Sequence, residues 1–331
     1  MASSTLELGF RYNDSRTKKV KSKMHFNEYL KQCREHSHLT QEQLAEALYL
    51  HDIEHFRSLE TTTLSKWERA VIKPTLPRQV SIIKYFQQKT GSALPCWEQY
   101  TVEEAEAMIC SVGMHNLLGK SKELILNFPS NVISIGDLSI YQLRNSAMID
   151  RIVEINVGLD KDFNHDLTQL QSTHFKEWAI TPSNSFFVCE YKDQFFGLLF
   201  TLRLKPDSFE RVMRMEIDER DIGSADFASL NELGYNYLLS FFAMSDKAAS
   251  MLFIRYYAHL IANQKVIAGV GAGAMMSDAK KLIENMHLSL YHSKELEEGL
   301  TLQMYRENLP EFLTSEPVIK MILSKQECPE G

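Results

Sequence analysis

The chain has 331 residues, 44% of them hydrophobic and 24% charged, with a formal net charge of −7. That is the composition of folded globular protein with room for about two or three cores, which excludes collagenous, low-complexity and wholly disordered classes. The five cysteines are odd in number and form no C-x-x-C pair. No apolar run approaches the roughly 18 residues of a membrane span, and no leader-type segment opens the chain. A soluble, cytoplasmic protein is expected, with no disulfide framework, no metal site and no membrane partner.

Charge is unevenly spread. Residues 1–95 carry 15 Lys and Arg against 10 Asp and Glu, and the remainder 21 against 33. A basic module joined to an acidic body suits a nucleic-acid partner at one end only. Residues 1–23 are polar and include Arg16, Lys18, Lys19, Lys21 and Lys23, a basic arm. Leu30 to Leu48 then spells a helix, a tight connection and a second helix, in which Thr40 and Gln43 make a capping box. Leu44, Ala45 and Leu48 give that second helix its buried stripe. Leu64 to Pro77 reads as a short helix with Leu64 and Trp67 three apart and inward. Thr61, Thr62, Thr63, Ser65, Lys66 and Arg69 are left outward or at its start.

Leu30, Lys31, Arg34, Leu39, Thr40, Gln41, Leu44 and Ala45, followed by Leu64, Ser65, Lys66, Trp67, Glu68, Arg69, Ala70 and Pro74, carry a resemblance. Residues 24–91 resemble the lambda-repressor-like helix-turn-helix of the XRE family. The resemblance implies double-stranded DNA as partner, a homodimer on two half-sites, and contacts from Gln41, Thr61, Thr62, Thr63, Ser65, Lys66, Arg69 and Lys73. It also implies that Glu68 turns inward to brace Arg34 while Leu64 and Trp67 seat the helix. Two departures stand out. Fifteen residues separate Leu48 from Leu64 where about six are common, so 49–60 either lengthens a helix or forms a loop. Ala70 occupies a position that often holds glycine, so the helix is expected to close without a left-handed residue. His51 and His55 lack a third ligand and are read as surface side chains. An antitoxin- or adaptor-type protein-binding bundle is the alternative for this region.

Residues 92–138 read as a connector with amphipathic patterns at Val102 to Val112 and His115 to Phe128. Beyond it, over 139–325, come helices at Ser146 to Leu159 and Gln169 to Ile180, then strands at Phe186 to Tyr191 and Phe195 to Leu202. A strand at Tyr237 to Ala243, a helix at Ala248 to Asn263, a strand at Val266 to Gly273, a helix at Asp278 to His287 and a strand at Leu300 to Tyr305 follow. The expected class is α+β, an all-α N-terminal part followed by a mixed sheet flanked by helices. This order, with Ala279 and Leu282 in SDAKKLIENMHLSLYH, resembles the GNAT acetyltransferase fold. The phosphate-loop position holds Met244 to Ser250 without glycine, and Asp246 would repel phosphate. Ile283 stands where the family has its general-acid tyrosine, with His287 and Tyr291 as the nearby substitutes. The domain is therefore expected not to be an enzyme and to have no catalytic residue. It is read instead as a sensor or dimerisation module, with a candidate cleft at Ser245, Lys247, Ala248 and Ser250 for a small-molecule effector. That effector would be acetyl-CoA or another acyl or phosphate ligand. The expected function is a sequence-specific transcriptional regulator; the alternative is a DNA-tethered, acetyl-CoA-dependent N-acetyltransferase.

Overall fold

The computed structural model describes residues 24–109, 114–118, 124–126, 133–145, 149–164, 170–296 and 299–323. The basic arm, Cys110, Cys328 and much of the helix expected at His115 to Phe128 lie outside the described residues.

The chain opens with α1 (Phe26–His36), α2 (Gln41–His51), α3 (Ile53–Phe56), α4 (Thr61–Glu68) and α5 (Leu76–Thr90). Thr40 caps α2 by accepting the Gln43 N–H at 3.1 Å, and the Gln43 side chain accepts the Thr40 N–H at 2.9 Å. The 49–60 stretch both lengthens a helix and turns. Asp52 ends α2 and starts the single turn of α3, accepting from the His55 N–H and from the Ser81 hydroxyl of α5. Phe56 is buried and fastens that turn to the helical core with Leu48, Leu64, Trp67, Ile82 and Phe86. The expectation for the end of α4 is corrected. Ala70 itself takes the left-handed conformation, at φ +57°, because the Ala70 and Val71 N–H groups must reach the Trp67 and Lys66 carbonyls. An alanine there costs about 1 kcal/mol, which the α4 packing offsets.

The connector supplies α6 (Val102–Met108) and α7 (Met114–Leu118). It is anchored rather than loose. The buried Gln264 side chain accepts the Leu94 N–H at 2.6 Å and the Ser92 hydroxyl at 2.9 Å, and donates to the Leu94 carbonyl. Arg255 and Glu106 pair at 2.7 Å.

The sheet half runs β1 (Leu138–Gln142), α8 (Ile149–Asn164), α9 (Ser172–Ile180), β2 (Ser185–Tyr191), β3 (Gln194–Leu204), α10 (Pro206–Met213) and β4 (Gly234–Ala243). It continues with α11 (Asp246–Ala262), β5 (Ile267–Ala274), α12 (Ser277–Asn285), β6 (Ser289–Glu295), β7 (Thr301–Asn308), α13 (Leu309–Leu313) and α14 (Glu316–Leu323). The seven strands lie in the order β1-β2-β3-β4-β5-β7-β6, antiparallel except for the parallel β4–β5 pair. The class is α+β, with a seven-stranded mixed sheet. Lys192 and Asp193 both have positive φ and make the two-residue turn that suits the twist of the β2–β3 hairpin.

Alternation along the strands divides the core. Phe187, Cys189 and Leu199 face α11, α12 and the N-terminal helices, whereas Phe186, Val188 and Phe200 face the layer that includes α9 and α10. α5 meets α13 through the Lys84–Glu311 ion pair at 2.7 Å and a Gln87 side chain donating to the Pro310 carbonyl. One continuous buried cluster therefore joins the N-terminal helices to one face of the sheet.

His259 of α11 is enclosed in that layer, with Nε2 3.2 Å from the Ser185 hydroxyl. Burial, reinforced by the Arg203 and Arg144 guanidinium groups, lowers its pKa to about 4. In an unfolded chain the imidazole titrates near about 6.5. Its neutral form therefore contributes stability that is full above that value and is lost as pH falls towards 4. Urea midpoints measured from pH 7 to 4 should fall across this window, and His259→Gln should flatten the slope. An unchanged slope in the variant would show that other groups set the acid limit.

Candidate functional site

The site grows out of one irregularity in the sheet. β4 pairs with β5 from Gly234 opposite Ile267 to Leu238 opposite Ala272 and no further. β4 continues to Ala243 against β3, and β5 continues to Ala274 against β7, so the two parallel strands diverge. At the same point β3 and β4 slip register: Thr201 faces Leu238 while Phe200 faces Ser240. Leu239 is the extra residue of a bulge, which bends β4 away from its neighbour.

The opening holds a cavity of about 110 Å³, walled mainly by Leu238, Phe241, Ala272, Met276 and Ile283, with Leu124 of the connector. A second cavity, of about 170 Å³, lies against α10 and is walled by Val212, Ile217, Tyr237, Leu302 and Met304, with Asp218 and Glu219 as its acidic groups. Leu239, Gly273, Ala274 and Met275 line both. These four residues, at and beside the β4 bulge, separate the two cavities.

The polar centre of the second cavity is a tyrosine–carboxylate pair. The Tyr237 hydroxyl donates to Glu219 Oε1 at 2.5 Å. Burial, then the Glu219 carboxylate, raise the phenol well above its ordinary pKa, so it stays a proton donor. Gly273 makes room for it: a Cβ at that position would stand 2.9 Å from the Tyr237 oxygen. Glu219 sits half-buried on a short 3₁₀ turn, Glu219–Asp221, which presents its carboxylate to the strand.

The corner after β4 is arranged differently. Ser245 is buried and caps α11 by accepting the Ala248 N–H at 3.2 Å; Ala248 is buried and Ser250 half-buried. The Lys247 ammonium donates to the Ile133 carbonyl at 2.7 Å. Leu124 accepts the Ala243 N–H at 3.0 Å, and the Leu126 N–H donates to the Ala243 carbonyl at 2.9 Å. Ile125 thus bridges Ala243 in parallel, on the edge that β5 leaves. The connector itself lies at the corner where phosphate was expected, and the open volume is further down the strands. Tyr291, one of the tyrosine substitutes, is on β6 with its hydroxyl donating to Glu210 at 3.3 Å, and His287 is the left-handed residue after α12.

In the N-terminal helices, Thr61, Thr62, Lys66, Arg69 and Lys73 are exposed, and Thr63 and Ser65 are half-buried. Leu64 and Trp67 are in the core. Arg34 clasps the buried Glu68 through Nε at 2.5 Å and a terminal nitrogen at 3.1 Å, and the Gln41 amide donates to the same carboxylate at 2.8 Å. Gln41 is thereby held among the helices rather than extended outward. The described residues include no cluster of three His, Cys, Asp or Glu side chains able to hold a metal, and no helix of theirs is long and apolar enough to cross a membrane.

Tyr237, Glu219 and Gly273 were not legible as a site. Tyr237 reads as the first residue of an apolar strand, Gly273 as one of three strand glycines, and Glu219 as one acid in a loop without periodicity. The acidic stretch Glu216, Asp218, Glu219, Asp221 ahead of a strand that opens on glycine and tyrosine is the signal that was present.

No protein-family model matches the sequence, and neither does any curated protein. Solved structures do resemble the sheet half. An N-acyl amino acid synthase from uncultured soil microbes covers 56% of this chain and 97% of its own, at 12% identity and TM-score 0.38. An acetyl transferase from Salmonella typhimurium that modifies the N-terminal serine of a ribosomal subunit protein covers 53% and 98%, at 10% identity and TM-score 0.35. The C-terminal condensation domain of Ebony, in complex with beta-alanyl-dopamine, covers 52% and 98%, at 11% identity and TM-score 0.35. The expectation that the chain is not an enzyme is corrected to this extent: the solved structures that the sheet half resembles include an acetyl transferase and an N-acyl amino acid synthase. It rested on the missing loop glycines and on the absence of tyrosine at Ile283, whereas the acid–phenol pair is made by Tyr237 of β4 and Glu219 of the turn before it. Over its sheet half the chain is similar in fold to solved GNAT-type acetyltransferases.

Proposed function

We propose that the chain is an acyltransferase carried by a DNA-binding head. The observation that supports it is a pair of cavities sharing one wall at the β4–β5 divergence, beside Tyr237 and Glu219. In this reading a thioester such as acetyl-CoA places its acyl group in the strand opening, and an amine enters from the α10 side. The amine nitrogen attacks the thioester carbonyl, and its proton passes to the Glu219 carboxylate. The tetrahedral intermediate collapses with loss of thiolate, which takes that proton from Glu219, giving an amide and a free thiol and restoring the carboxylate. Tyr237 donates to Glu219 and fixes which carboxylate oxygen faces the amine. The mainly apolar walls keep water from the thioester.

The test is release of free thiol from acetyl-CoA by the full chain with a panel of apolar primary amines. Acceptor-dependent release is expected. No release with any acceptor, together with no calorimetric binding of acetyl-CoA, would remove the acyltransferase reading.

Residues 24–91 are read as an XRE-type helix-turn-helix, linked through 92–138 to the sheet half and acting as a homodimer on two half-sites. The exposed cations of α4 and its C-terminal end support this, since they lie beside a row of small hydroxyl side chains with an apolar seat behind. Lys66→Ala and Arg69→Ala should each weaken binding to duplex DNA and lower its salt dependence by about one unit of log–log slope. Filter binding at several salt concentrations would show it, and identical isotherms for both variants and parent would exclude α4 as the reading element.

A further inference from the structure

Cys33 and Cys96 are 63 positions apart in sequence and face each other in the core, with their Sγ atoms 3.2 Å apart. Cys33 belongs to α1, and Cys96 to the strap between α5 and α6 that Gln264 ties to the sheet half. Both cysteines are buried, Cys33 at 1% and Cys96 at 9% exposure, so Cys33 is the more enclosed of the two. Cys96 is also one of the few residues other than glycine with positive φ, at +66°. That backbone turn lies beside Pro95, whose carbonyl is 3.9 Å from Cys33 Sγ. Nothing in the proposed acyl transfer uses either sulfur.

We propose that Cys33 and Cys96 are a redox modification site that a small peroxide converts to a disulfide, clamping α1 to the strap. The reaction balances with hydrogen peroxide as oxidant. The Cys96 thiolate attacks one peroxide oxygen, giving a sulfenic acid and hydroxide. The Cys33 thiol then attacks the Cys96 sulfur, the S–S bond forms and water leaves. Two thiols lose two electrons and two protons, and peroxide becomes two waters. The asymmetry of the pair suits these roles. The hydrogen bond donated by Cys33 lowers the Cys96 thiol below its ordinary pKa against the opposing effect of burial, whereas burial pushes the Cys33 thiol up. The more acidic sulfur, on the less enclosed residue, is thus the one that meets the oxidant, and Cys33 resolves it. Roughly 1 Å of approach brings the sulfurs to bonding distance.

The experiment treats the full chain with hydrogen peroxide, blocks remaining thiols with iodoacetamide under denaturing conditions, and maps peptides by tandem mass spectrometry. A Cys33–Cys96 linked peptide, two hydrogens lighter than the sum of its parts and cleaved by dithiothreitol, is expected. The oxidised protein should also melt several degrees higher than the reduced one. In Cys33→Ser, dimedone should trap a sulfenic acid on Cys96. Recovery of Cys33 and Cys96 as carbamidomethyl thiols after peroxide, or of either linked to a different cysteine, would overturn the proposal. The measurement on the unsubstituted chain decides it whether or not the variant folds.

Discussion

Glu219→Gln is expected to lower kcat for acyl transfer by about 10²–10⁴-fold while leaving acetyl-CoA binding unchanged, because the amide retains the shape and loses the basic oxygen. Glu219 is half-buried on a surface turn, and its carboxylate accepts from the Tyr237 hydroxyl. The amide oxygen of glutamine still accepts that hydrogen bond, so the melting temperature should move little. Tyr237→Phe provides the second arm. It keeps the ring in the core, removes the donor to Glu219 together with the acceptor of the Gly273 backbone, and should give a smaller loss. Steady-state thiol release from both variants reads the effect. A Glu219→Gln enzyme with parental kcat would show that the proton goes elsewhere.

Trp67→Ala is expected to destabilise the N-terminal helices by about 3–5 kcal/mol, as for a truncated core aromatic. The indole is 2% exposed on an eight-residue helix, and the Arg78 guanidinium lies 6.0 Å from its ring centroid. A helix of two turns is marginal by itself, so its order depends on packing. Removing the indole leaves Leu64 as the main apolar anchor of α4 and loosens the turn that presents Lys66 and Arg69. Circular dichroism during urea titration should show an earlier transition, and DNA affinity should fall with it. Parental stability with lost DNA binding would mean that Trp67 is a contact residue and that α4 is rotated from the orientation seen here.

How far the chain can be read without coordinates depends on whether burial leaves a periodic trace. Leu44, Leu48, Leu64 and Trp67 mark their helices because each lies against one core, and β2, β3, β4 and β5 stand out because both faces are covered. β6 leaves no such trace. It is an edge strand, most of its side chains are exposed, and Leu290 is 55% exposed. β1 is short and α10 opens on Pro206, so neither was assigned from the pattern. Ala70 shows the limit of residue preference, since hydrogen bonding at the end of α4 imposes a left-handed alanine. The site was less legible than the fold. Tyr237, Gly273 and Glu219 come from a strand, the next parallel strand and a turn, and only the sheet pairing brings them together.

The Gln264 anchor has a consequence for how far the two ends of the molecule can move apart. Its side chain serves the Leu94 N–H and carbonyl as a neighbouring strand would, and the α5–α13 contacts hold the same junction from the other side. A flexible tether raises the local concentration of whatever it carries and lets it search a sphere. This junction does neither. With the N-terminal helices seated on any surface, the sheet half would stand at a fixed bearing above it. On the proposed reading, acceptors would then be chosen by where they stand as much as by what they are.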